Sequence, residues 1–135
     1  MKIKIIDYGY GELPYRAHGN DAGADVYAVK DHVIFPHDTE KVPLGLGLEL
    51  PDGYMACVFP RSGLSSKGIT CELPPIDSGY RGEIHAIVTN HTDKAYQIKA
   101  GDRIGQLVIM PVIIAEFVTD LGEERGSGAF GSTGK

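Results

Sequence analysis

"VPLGLGLELPDG", Val42 to Gly53, decides the fold class. Leu44, Leu46, Leu48 and Leu50 fall on alternate positions and point one way, while Gly45, Gly47 and Glu49 point the other until the Pro51-Asp52-Gly53 turn. That is the pattern of a half-buried strand. Similar short runs with period two occur at Lys2 to Ile6, Gly23 to Val29, Tyr54 to Phe59, Glu83 to Thr89, Arg103 to Ile109 and Val112 to Val118. Turn clusters such as "FPHD", "NHTD" and "KAGD" separate them. A helical turn is expected only after Arg61, through "SGLSSK". Many short strands punctuated by glycine and proline predict an all-β sandwich, jelly roll or barrel.

The chain has 135 residues, the length of one domain with one core. Its 18 glycines and 8 prolines are more than usual and predict many turns. A net charge of -5 argues against a nucleic-acid partner, because nonspecific duplex binding needs a broad basic face. No membrane association is expected either: the longest apolar run, Leu107 to Ala115, is interrupted by Pro111 and falls short of the roughly 20 residues of a membrane helix. Cys57 and Cys71 form no C-x-x-C pair, and the apolar run Lys2 to Ile6 is too short for a signal peptide, so reduced thiols and a cytoplasmic location are expected. Residues 1–119 read as one β-domain. Residues 120–135, with "GEERGSGAFGSTGK", lack any strand pattern and read as a flexible tail.

Four internal stretches could carry chemistry. The five histidines, His18, His32, His37, His85 and His91, show no metal-ligand spacing, so protein-ligated zinc is not expected. A hard cation such as magnesium could still arrive on a substrate's phosphates. "PRSGLSSKG", Pro60 to Gly68, is either a solvated loop or an anion cradle, with an arginine fork, serine hydroxyls and glycines that let backbone N–H groups approach oxygen. "IDSGYRGEI", Ile76 to Ile84, looks like a hairpin; Asp77 either bonds its own turn or deprotonates a water, and Tyr80 either packs on the sheet or offers a flat face to a ring. "GDRIGQLVI", Gly101 to Ile109, reads as a turn entering a strand. There Asp102 and Arg103 could be a surface pair, and Gln106 shares a face with Ile104 and Val108 and needs a partner, which a phosphate oxygen could be. "DAGADVYA", Asp21 to Ala28, puts Asp25 in an apolar strand, at the rim or paired.

Taken in order with "RGSGAFGSTG" near the C-terminus, these stretches resemble the five motifs of the trimeric dUTP diphosphatase (dUTPase) family, from Asp21 to Gly134. The resemblance implies a compact, jelly-roll-like β-domain, a homotrimer with active sites at subunit contacts, and hydrolysis of dUTP to dUMP and pyrophosphate. Asp77 would be the base that activates the water attacking the α-phosphorus. Tyr80 would lie against the deoxyribose. Arg61, Ser62, Gly63 and Gln106 would hold the triphosphate, and Asp25 would reach Mg²⁺ through water. Ile76, Ile84 and His85 belong to the hairpin expected to read uracil with main-chain groups. In the tail, Arg125 would pair with the γ-phosphate and Phe130 stack on uracil, while Gly131, Ser132 and Thr133 wrap the phosphates, so that the tail acts as a lid. Limiting uracil in DNA and supplying dUMP for thymidylate synthesis would follow.

The sequence departs from the family pattern at Pro74-Pro75, which remove two backbone donors before the third motif, at "TCEL", which lacks an asparagine some members place against uracil, and at Ala129, where glycine is commoner. The alternatives are a dCTP deaminase-like enzyme of the same fold and a non-catalytic dUTP-binding regulatory module.

Overall fold

The computed structural model describes residues 1–122, and among these the chain forms ten strands and one helical turn. β1 (Lys4–Asp7) pairs with β5 (Leu46–Glu49), and β3 (His32–Ile34) with β9 (Tyr96–Ile98). β2 (Ala24–Tyr27) and β6 (Tyr54–Phe59) flank β10 (Arg103–Pro111). β4 (Thr39–Pro43) and β7 (Ile69–Glu72) flank β8 (His85–Asn90). Every pairing is antiparallel, and α1 (Ser62–Ser65) supplies the helical turn expected after Arg61. The all-β expectation is met. One core joins the sheets, built on Val26, Ile34, Val42, Leu44, Leu46, Leu48, Val88, Ile98 and Ile104.

The leucine run differs from a single strand. All four leucines are buried as expected, but Gly45 takes φ +77 and breaks the run into β4 and β5, which lie in different sheets. A positive φ is readily open to glycine, so the same residue that keeps the alternation also turns the chain. Val112 to Val118 is not a strand. It leaves β10 with Ile113, Ile114 and Phe117 at 89%, 81% and 95% exposure, without the partner strand that its alternation anticipates. β3, β7 and β9 were not anticipated, and β4 only at Val42 and Pro43: each has only three to five residues, and β4 buries just Val42. Apolar alternation cannot register in so short a span.

Asn90 is fully buried at the end of β8 and pins the end of β3 to the β8-β9 connection. Its amide donates to the carbonyls of Ile34 (2.9 Å) and Lys94 (2.8 Å), and its oxygen accepts from the N–H and hydroxyl of Thr92 (2.9 and 2.7 Å). A buried amide with all of its groups bonded stabilises the junction rather than costing it.

At Gly45 a Cβ would lie 2.6 Å from Val29 Cγ1 and 2.7 Å from the Tyr10 backbone, in addition to the φ strain. Gly45→Ala is expected to lower stability by about 2–4 kcal/mol, read from the urea midpoint. A midpoint equal to that of the parent chain would mean that the turn does not need glycine.

Candidate active site

The first half of the site lies on the β2-β10-β6 sheet. β10 bulges against β2: Arg103 pairs with Tyr27, yet Gly105 pairs with Val26 and Gln106 with Asp25. In a regular strand residues three apart point to opposite faces; one extra residue restores them to the same face. Arg103 and Gln106 therefore share the face of Asp25, while Ile104 and Leu107 both reach the core. This corrects the expected alternation, in which Ile104 and Gln106 shared a face. Gly105 permits the bulge, since a Cβ there would lie 2.8 Å from Val58 Cγ1 and 3.0 Å from the Phe59 carbonyl oxygen.

Asp25 is paired rather than at a free rim: its Oδ2 accepts from Arg103 Nη1 at 3.3 Å, with the two side chains 19% and 52% exposed. Arg103 thus bonds Asp25 and not Asp102, whose carboxylate accepts from the Lys99 N–H at 2.9 Å. Arg61 Nη1 donates to the Arg103 carbonyl at 3.4 Å, bringing the second motif to the first and fourth. Gln106 finds its partner within the chain, donating from Nε2 to the Pro60 carbonyl at 3.1 Å. That bond fixes the start of the loop carrying Arg61, Ser62 and Gly63, and the last two are exposed at the start of α1. The cluster offers two arginines and exposed loop groups to an anion, with one carboxylate beside them. Sequence reasoning missed Arg103; Gly105 in the middle of an apolar strand was the one sign of a bulge.

The second half lies on the β7-β8 connection. "IDSGYRGEI" is not itself a two-stranded hairpin but the loop of a longer one, whose arms are β7 and β8. Ile76 bonds Ala56 of β6 in both directions (2.7 and 3.1 Å), and Ile84 donates to the Leu46 carbonyl (2.8 Å) and accepts from the Leu44 N–H (3.0 Å). The main-chain groups of these two residues are therefore spent inside the fold. Their side chains, with those of Tyr80, His85 and Ile87, line a cavity of about 140 Å³. Tyr80 donates from its hydroxyl to the Glu83 carbonyl (2.8 Å), and its N–H to the Asp77 carbonyl (3.1 Å) closes a tight turn that leaves Asp77 exposed. Lys41, Glu72, Glu83 and Val58 also border this cavity, and none was singled out from the sequence.

The leucine-glycine stretch braces this loop. The Gly45 N–H donates to Glu83 Oε2 (2.9 Å), and Gly47 lies so close beneath Gly82 that a Cβ would come within 2.7 Å of its carbonyl oxygen. Tyr8 adds a hydroxyl bond to the Arg81 carbonyl (2.7 Å), and Arg81 itself bonds the Ser78 carbonyl.

Asp25, Arg61 and Gln106 are thus brought together, and Asp77, Tyr80, Ile76, Ile84 and His85 are brought together elsewhere. Arg125, Phe130, Gly131, Ser132 and Thr133 lie outside the described residues. No group of three or more His, Cys, Asp or Glu side chains among the described residues could hold a metal. The donor set at Asp25, one carboxylate beside arginines, fits a hard cation that brings its own phosphate oxygens and not one caged by protein. No helix of the described residues is long and apolar enough to cross a membrane.

One β-domain thus carries two arginines beside Asp25 and a tyrosine-edged cavity, groups that suit an anionic ligand with a ring. The chain belongs to the dUTPase family, whose profile matches residues 9–134. It is 43% identical to the deoxyuridine 5'-triphosphate nucleotidohydrolase of Clostridium tetani, over all of this chain and 97% of that one. Its fold matches a variant dUTPase from phage phi11 of Staphylococcus aureus, solved for the coordination of a structural Mg(II) ion, with TM-score 0.84 and 24% identity over 93% of this chain and all of that one. It also matches the dUTPase of Staphylococcus bacteriophage 80alpha with dUPNHPP, with TM-score 0.82 and 25% identity over 92% and 90% of the two chains.

Cys71 of β7 lies beneath the bulge, its thiol 3.9 Å from the Ile104 carbonyl. Burial, with a smaller contribution from the Glu72 carboxylate, raises its pKa from 9.0 to about 11. The folded chain favours the protonated thiol, so this contribution to stability is intact below about pH 9 and is lost as pH rises through 11. Native Cys71 is expected to resist maleimide at pH 7.5 and to react faster as the pH approaches 11, followed by peptide mass spectrometry. Rapid labelling of Cys71 at pH 7.5 in the folded protein would show that the thiol is not shielded.

Proposed function

We propose that this protein hydrolyses dUTP to dUMP and pyrophosphate, with Asp77 activating the water that attacks the α-phosphorus. The observation that carries the reading is the pairing of a cavity of about 140 Å³, edged by Tyr80 with exposed Asp77 three residues before it in the same loop, with an arginine cluster suited to phosphates. Substitution at phosphorus needs in-line positioning and charge stabilisation more than covalent help. Arg61, the Ser62 hydroxyl and the backbone amides of exposed Ser62 and Gly63 hold the phosphate oxygens, and Gln106 positions that loop through Pro60. Asp77 takes the proton of the attacking water, a role worth roughly a hundredfold to ten-thousandfold. Tyr80, held by Glu83, presents its ring to the deoxyribose. Mg²⁺, held chiefly by the substrate's phosphates and by Asp25 through water, would offset their charge.

The two halves of the site are carried by different elements, the β7-β8 connection and the β2 and β10 strands, and the cavity at Tyr80 is not bordered by Asp25, Arg61, Arg103 or Gln106. In a homotrimer, one subunit's loop at Asp77 faces another's arginine cluster, so the site is complete only at subunit contacts. The exposed Ile113, Ile114 and Phe117 supply apolar surface for such contacts. Residues 1–119 form the β-domain, and residues 120–135 act as the lid, with Arg125 on the γ-phosphate, Phe130 on uracil and Gly131, Ser132 and Thr133 around the phosphates. Both cysteines are free, in keeping with a reducing cytoplasm.

Purified protein with Mg²⁺ is expected to release pyrophosphate from dUTP far faster than from dTTP, dCTP or UTP. Absence of release above background would sink the assignment. Asp77→Asn should keep nucleotide affinity while kcat falls by about a hundredfold or more; near-normal kcat would remove Asp77 from the role of base. Truncation after Glu124 should leave a folded protein with greatly reduced turnover, and unchanged kinetics would exclude the lid.

A further inference from the structure

Asp77 is exposed, so little packs round its carboxylate and its position is set by the residues on either side. Both of those are tied to one corner of the fold, where the turn between β5 and β6 leads into β6. Before Asp77, Ile76 exchanges both main-chain bonds with Ala56 of β6 (2.7 and 3.1 Å). After it, the half-buried Ser78 donates from its hydroxyl to Asp52 Oδ1 at 3.1 Å. The turn that carries Asp52 is itself anchored. Gly53 takes φ +87, and its carbonyl accepts from the Val112 N–H at 2.8 Å, continuing the ladder beyond the pairing of Pro111 with Tyr54. Asp52 therefore holds the residue next to Asp77 from a fixed support.

We infer that Asp52 is a positioning residue for the proposed reaction: its carboxylate fixes Ser78 and, through Ser78, the direction in which Asp77 meets the attacking water. The inference rests on the proposed role of Asp77 and deepens it. The Tyr80 N–H bond to the Asp77 carbonyl and the Arg81 bond to the Ser78 carbonyl lie within the loop and move with it, whereas the Asp52 bond ties the loop to another part of the chain. A hydroxyl bond to an ionised carboxylate is also stronger than one between neutral groups. A general base must lie within hydrogen-bond reach of the proton it takes, and a displacement of about 1 Å can cost a hundredfold in rate. Asp52 acts through Ser78 and Asp77, so its loss slows the chemical step and leaves the affinity for dUTP as it was.

Steady-state release of pyrophosphate from dUTP by the full chain with Mg²⁺ tests this. Asp52→Ala and Ser78→Ala should each lower kcat by about fivefold, with KM and the thermal melt unchanged. The double variant should be no slower than either single one, because both changes remove the same bond. Asp52→Asn keeps an oxygen for the Ser78 hydroxyl and should recover most of the loss. In an Asp77→Asn background, Asp52→Ala should have no further effect on kcat, which a merely structural role would not predict. A Ser78→Ala protein with the parent kcat overturns the inference, and this measurement stands even if Asp52→Ala fails to fold. Losses that multiply in the double variant, or a further loss in the Asp77→Asn background, overturn it as well. Failure of the proposed reaction is read separately, as absence of pyrophosphate release from dUTP by the parent protein.

Discussion

One extra residue in β10 sets the geometry on which the arginine cluster depends. A regular strand from Arg103 to Leu107 would bury either Ile104 or Leu107, and would point Arg103 and Gln106 in opposite directions. The bulge buries both apolar side chains and turns both polar ones toward Asp25 and Pro60. Core and site are thus satisfied by the same local distortion. Its condition is a residue without Cβ at position 105, where the side chain of Val58 and the carbonyl of Phe59 leave no room. Gly23 meets a similar condition beside Gln106, since a Cβ there would lie 2.5 Å from the amide oxygen.

The second half of the site is held by another glycine device. Glycine in a strand costs roughly 0.5–1 kcal/mol against alanine, so two within four residues of a leucine run need a reason. Gly45 turns the chain from one sheet to another, and Gly47 lets the Arg81 and Gly82 carbonyls press against β5. The loop carrying Asp77 and Tyr80 is then tied at Ile76, Ile84, Glu83 and Arg81, which leaves exposed Asp77 on a fixed support. Loops placed by a rigid scaffold are where binding groups can be both accessible and positioned.

What was legible in the sequence follows from the length of each signal. Tyr54 to Phe59 reads at its observed bounds because six residues of apolar strand abut clear turns on both sides. The all-β class, the buried leucines and the turn after Arg61 were readable for the same reason. Arg103's pairing with Asp25 was not, because a bulge changes the face of every later side chain and leaves only a glycine as its mark. Lys41 and Glu72 were invisible for a different reason. They meet only through Ile87 on the strand between them, and register across three strands is not encoded near either residue. The main-chain groups of Ile76 and Ile84 have structural partners in Ala56, Leu46 and Leu44 that no local pattern announces.

The run Val112 to Val118 carries the alternation of a strand but has no strand beside it among the described residues. Alternation records which residues want burial and does not record whose surface provides it. Full burial of a large aliphatic or aromatic side chain contributes about 1.5–3 kcal/mol, so Ile113, Ile114 and Phe117 together represent a sizeable stabilisation that the isolated chain leaves unrealised. In the proposed trimer that same burial brings the Asp77 loop of one subunit to the arginine cluster of another. Assembly and catalytic competence would then share one driving force, and the acidic chain needs basic groups only at the few positions where phosphates are held.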